Sequence, residues 1–153
     1  MVKVIELNRE LDNSMKKRLV VFSLLMSLAG VSKAETPSVI QVLQKTPQWG
    51  LVQAGTACIE KYRFLPSGEV LIESNQERVS GSYSFITKDN RFELPAVVIG
   101  FQTDNQKPDC TGSQENQVGS STTNFLKQES DQKIYFCIDS FGKNCPVYLR
   151  PEH

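Results

Sequence analysis

Histidine is almost missing from this 153-residue chain: the one present is His153, the last residue. Without an internal imidazole, neither a Ser-His-Asp nor a Cys-His arrangement is available unless the terminal residue folds back. The same scarcity argues against a Cys/His zinc set. Cysteine is sparse too, and no two cysteines stand in a C-x-x-C spacing, which argues against a redox motif or a zinc ribbon. No glycine-rich loop has the spacing that cradles a phosphate. The longest apolar stretch, Leu19 to Val31, has 13 residues, whereas a membrane-crossing helix needs about 20. There is no internal repeat.

What is present begins near the start. Met15-Lys16-Lys17-Arg18 runs into that apolar stretch, and Ser32-Lys33-Ala34 follows it. A cationic region, an apolar region and a small-x-small tripeptide form the layout of a secretory signal peptide. Cleavage is expected between Ala34 and Glu35. Residues 1–14 carry Glu6, Glu10 and Asp12, which suit neither a cationic leader nor a transit peptide. The expectation is therefore a misassigned N-terminal extension over 1–14, a signal peptide over 15–34 and one exported domain over 35–153. The competing reading is a cytoplasmic tail on an anchored protein, and the short span weighs against it. Leu28-Ala29-Gly30 opens like a lipobox, but Val31 stands where the lipid-bearing Cys would be. No membrane anchor is expected after cleavage, and the location is read as periplasmic or secreted, in a bacterial envelope.

Removal of the first 34 residues leaves 11 cations and 14 acids, so a neutral chain becomes one of net charge −3. A mildly acidic domain without a basic run suits neither nucleic acid nor an anionic membrane surface. All four cysteines, Cys58, Cys110, Cys137 and Cys145, fall in this part. In an exported chain they imply two disulfides, with three connectivities open. Cys137 and Cys145 flank a turn-like Ser140-Phe141-Gly142-Lys143 and would face each other if the segments pair about Phe141. Cys58 with Cys110 then follows by elimination.

Thr36-Pro37 ahead of Val39, Ile40, Val42 and Leu43 predicts a short helix, with Thr36 as its cap and Pro37 at its first position. After Trp49 the apolar period changes to alternation. Strands are expected over 58–65, 69–74, 79–85, within 91–102, around Phe125-Leu126, over 134–138 and over 147–149. Pro95 interrupts the fourth of these, which suggests an edge or a bend. Residues 103–121 are nearly devoid of apolar side chains and read as a loop pinned by Cys110, either a recognition surface or a solvated spacer. The fold class is all-β: an antiparallel barrel or sandwich of about seven or eight short strands, stabilised by disulfides.

Glu60 shares a strand face with Cys58, Tyr62 and Phe64. It is either an inward carboxylate near a barrel mouth or a wet or ion-paired one, with Arg78 or Arg91 as partner. Trp49, Tyr62, Phe64, Tyr83, Phe85, Phe92 and Phe101 are core or cavity lining. Carboxylate pairs for glycoside chemistry cannot be singled out among 14 scattered acids. The ligand-contact candidates are Glu60, Tyr62 and Tyr83; no catalytic residue, metal or cofactor is expected.

The short helix, then Gln48-Trp49-Gly50, then Tyr62-Arg63-Phe64-x-x-x-Gly68 resembles the opening of small lipocalin-like barrels, over about a third of the exported part. Those proteins carry Gly-x-Trp at the first strand; here Pro47 takes the Gly position. The resemblance implies a barrel whose mouth takes up a small apolar ligand. Ser80-Gly81-Ser82-Tyr83 is similar to the Ser-Gly-x-x-Tyr loop of secreted bacterial lysozyme inhibitors, one residue short of its spacing. In a strand that difference turns a side chain to the other face. The expectation is a monomeric, non-catalytic binding domain for an apolar ligand or an envelope protein. The alternative is an inhibitor or interaction module acting on a secreted enzyme such as lysozyme.

Overall fold

The computed structural model describes residues 37–153. The expectations for the extension, the signal peptide, the Ala34–Glu35 cleavage site and a Thr36 cap lie outside the described residues.

Among the described residues one helix, α1 (Val39–Lys45), precedes eight strands: β1 (Trp49–Gln53), β2 (Glu60–Phe64), β3 (Glu69–Ser74), β4 (Glu77–Ile86), β5 (Ala96–Asp104), β6 (Ser121–Ser130), β7 (Lys133–Cys137) and β8 (Val147–Pro151). Each strand pairs antiparallel with the next in sequence, and β8 returns to β1, closing a barrel. Closure removes every edge. Pro95 therefore marks no edge; it follows a bend at Glu93 and Leu94 and lies immediately before β5, where its carbonyl accepts from Leu126 N.

The helix starts later than its sequence suggests. Ser38 is extended at φ −65° and ψ 154°, and its hydroxyl accepts from Gln41 N while the Gln41 side chain returns to Ser38 N–H. This reciprocal box makes Ser38 the cap and puts Pro37 ahead of the helix. Val42 and Leu43 are buried, and the buried Trp49 indole donates to the Leu43 carbonyl at 3.0 Å. The helix thus packs into the barrel at the end where β1 begins.

Alternation sends one face of every strand inward. Val70, Val97, Ile99, Leu126, Ile134 and Leu149 fill the centre, each at most 1% exposed. Gly81 lies at a register shift between β4 and β5, where a Cβ would run into the Gly100 carbonyl. The bare backbone at Gly81 permits the close approach.

Both expected disulfides are present, Cys58–Cys110 and Cys137–Cys145. The register around the second differs from symmetry about Phe141, since Phe136 pairs with Val147. The Asp139 carboxylate explains the offset. It accepts from the backbone N–H groups of Phe141, Lys143 and Asn144 and shapes a wider loop, with Gly142 at φ +67°.

Candidate functional site

At the end of the barrel where β1 leads to β2 and β3 leads to β4, the lumen is not filled. A cavity of about 290 Å³ remains between the strands and the β5–β6 loop. Its apolar wall is Leu51, Ile72, Val79, Ile99, Phe101, Phe136 and Val147; its polar wall is Glu60, Tyr62, Glu77, Asp109, Gln117, Thr122 and Asn124. An adjoining hollow of about 350 Å³ shares Glu77, Phe101, Asp109, Gln117 and Thr122, and adds Glu115. Neither space is lined by a Lys or Arg.

Two of the residues expected at a ligand site meet here. Tyr62 Oη donates to Glu60 Oε2 at 3.1 Å, and Ser74 Oγ donates to Glu60 Oε1 at 3.1 Å. Ser74 Oγ in turn accepts from Cys110 N at 3.0 Å, so the bridged cysteine and the carboxylate share one hydrogen-bond chain. Burial, and then the Glu60 charge, push the Tyr62 phenol well above its ordinary pKa. It is a neutral donor at any physiological pH. Neither arginine considered for Glu60 reaches it: Arg78 lies 3.8 Å from Glu73 and Arg91 lies 2.9 Å from Asp89.

Tyr83 is elsewhere. Its hydroxyl donates to the Leu65 carbonyl at 2.8 Å, beside the β2–β3 turn, and it does not line the cavity. Ser80 to Tyr83 form the middle of β4, hydrogen-bonded to β3 and β5, not a loop. Of the aromatic candidates, Tyr62 and Phe101 line the cavity. Trp49 and Phe64 are core, and Tyr83 and Phe85 pack against it. Phe92 lies against Phe125, with the Arg91 guanidinium over its ring.

Glu77 was not legible as a site residue. It is 4% exposed, and its Oε1 accepts from Gln117 Nε2 at 3.0 Å. Burial raises its pKa; the Gln117 hydrogen bond opposes this, and Asp104, Asp109 and Glu60 add to the rise. The signal that would have found it is the β4 alternation, which runs back from Val79 to Glu77 on the inward face.

The β5–β6 loop roofs the cavity and is held on all sides. Gln76 N donates to the Pro108 carbonyl, Asn75 Nδ2 to the Asp109 carbonyl, and Gln117 N to Asp104 Oδ2. The Cys58–Cys110 bridge fixes its middle. Asp109 is opposed by burial, but the Thr111 hydroxyl and the backbone N–H groups of Ser113 and Thr111 outweigh that and lower its pKa. It remains a carboxylate at neutral pH.

Among the described residues no group of three or more His, Cys, Asp or Glu side chains has the arrangement to hold a metal ion. No helix among them is long and apolar enough to cross a membrane. Comparison with protein-family models, curated proteins and solved structures finds no match to this chain.

Proposed function

We propose that this chain is an exported, non-catalytic binding domain whose barrel mouth takes up a small ligand with an apolar body. The observation that carries the reading is the cavity of about 290 Å³, in which three aromatic rings, Tyr62, Phe101 and Phe136, face a convergent set of polar groups. Pockets that hold small molecules combine such an apolar wall with a few placed polar groups. The two disulfides are consistent with an extracellular or periplasmic protein, and the Met15–Ala34 signal supplies the route. The mixed lining also refines the ligand: its body is apolar, and one end of it is polar.

Calorimetric titration of the oxidised domain with 2-phenylethanol tests this. Saturable binding is expected, and Val79→Phe, which fills the cavity from β4, is expected to abolish it while the domain stays folded. Binding unchanged in Val79→Phe, or absent from the parent, would overturn the reading. Expression from Met15 with export, followed by intact mass, reads cleavage after Ala34 and the two disulfides.

A second reading, an interaction module for a secreted enzyme, draws on Ile138 and Phe141. These apolar side chains are 64% and 56% exposed on the loop bridged by Cys137 and Cys145. Stoichiometric inhibition of lysozyme, lost in Phe141→Ser, is the outcome that would favour it.

A further inference from the structure

The geometry points to an organic cation as the ligand: a small amine whose apolar part lies on Phe101 and Tyr62 and whose ammonium faces Glu77. This rests on the barrel mouth being a ligand site and adds the charge of what it binds.

The argument begins with what the cavity lacks. Glu60, Glu77 and Asp109 all line it, and no cationic side chain does. Carboxylates are rarely buried without a positive partner. The Glu60 oxygens take two hydroxyl donors, which satisfy their hydrogen bonding but leave the charge uncompensated. Asp109 is satisfied by its own loop through Thr111 and Ser113.

Glu77 differs from both. The residue is 4% exposed, and Gln117 engages one carboxylate oxygen. Its Oε2 has no donor among the described residues, yet no enclosed side-chain oxygen there lacks a partner. That oxygen is therefore open, and Glu77 lines both the cavity and the adjoining hollow. A buried carboxylate thus presents an unfilled acceptor to a partly enclosed space of one charge sign.

An ammonium supplies both the charge and the donor, and a charge-assisted hydrogen bond is the strong kind. An anion would meet three like charges. A bare metal ion lacks a closed ligand set here. An amine with an aromatic or aliphatic body fits the charged side and the apolar side together.

The experiment compares 2-phenylethylamine with its neutral counterpart 2-phenylethanol, by calorimetry on the oxidised domain and on Glu77→Gln. The amine is expected to bind the parent about 10- to 100-fold more tightly than the alcohol, the range of a hydrogen bond to a charged group. Glu77→Gln keeps the oxygen that accepts from Gln117 and is expected to remove that preference while alcohol binding persists. Equal binding of amine and alcohol to the parent leaves the cavity reading standing and overturns the cation. A preference that survives Glu77→Gln overturns the role of Glu77. Binding of neither compound overturns both readings. Should Glu77→Gln fail to fold, the amine-to-alcohol ratio on the parent and on Glu60→Gln decides the matter.

Discussion

Glu77 illustrates how a single buried carboxyl can weaken a fold. A carboxyl whose folded pKa is raised holds its proton more tightly in the native state than in the unfolded one. Its contribution to stability is therefore fully present below the unfolded pKa and is lost as pH rises through the folded one. At neutral pH the buried charge is a liability. Glu77→Gln is accordingly expected to melt above the parent at about pH 7 and to lose that advantage at about pH 3, where the parent is protonated too. Thermal melts at the two pH values check this, and an advantage that grows on acidification would contradict it. Glu60 and Tyr62 could be found from the sequence, because both lie on one face of an alternating strand with aromatics. Glu77 cannot, because the apolar alternation of β4 begins only at Val79. Tyr83 was drawn toward the site by its aromatic ring, but the distance along β4 places it beside Leu65 instead.

Among the elements, β6 shows where sequence patterning loses its grip. Its first residues, Ser121, Thr122, Thr123 and Asn124, are polar on both faces, so alternation of apolar and polar side chains cannot mark them as strand. Thr122 and Asn124 border the cavity. The strand that lines the cavity is thus the one least marked by pattern. Six other strands face packed core on one side and are visible for that reason. Their ends shift by at most two residues, except that β5 begins at Ala96 rather than Arg91, and β1 is marked only by the change of period after Trp49. The bridges act at the same scale. Cys58–Cys110 spans 52 residues and Cys137–Cys145 spans 8. Loop-closure entropy predicts that replacing the first pair by Ser costs about 4 kcal/mol and the second about 2.5 kcal/mol. Urea unfolding of the two double variants in oxidising buffer measures the order. The first variant should also lose amide protection across 105–120, because Cys110 N anchors to Ser74. An equal cost for both pairs would contradict the entropic account.

Over the whole molecule, all-β class and strand number are readable because each rests on local pattern or counting. The disulfide pairing follows from the sequence only under a symmetric turn, and the actual register is offset by one. Closure was not, since it depends on one pairing between distant segments. Trp49 pairs with Pro151 and Gln53 with Val147, and Glu152 N adds a bond to the Gln48 carbonyl. A chain ending at Pro146 lacks β8 and leaves both β1 and β7 with a free side. Such a truncation is expected to lose its cooperative melt and to bind hydrophobic dye, measured by near-ultraviolet dichroism and fluorescence; a sharp melt would show that closure is dispensable.

The β1–β8 ladder also sets a schedule. On a ribosome the first strand is made nearly 100 residues before the one that completes its pairing, so the wall of the barrel stays unzipped until β8 has emerged. The other seven pairings join neighbouring strands, so this one distant seam carries the largest loop-closure cost of the barrel. Until β8 arrives, β1 keeps one side free and the barrel has an edge that only the last pairing removes.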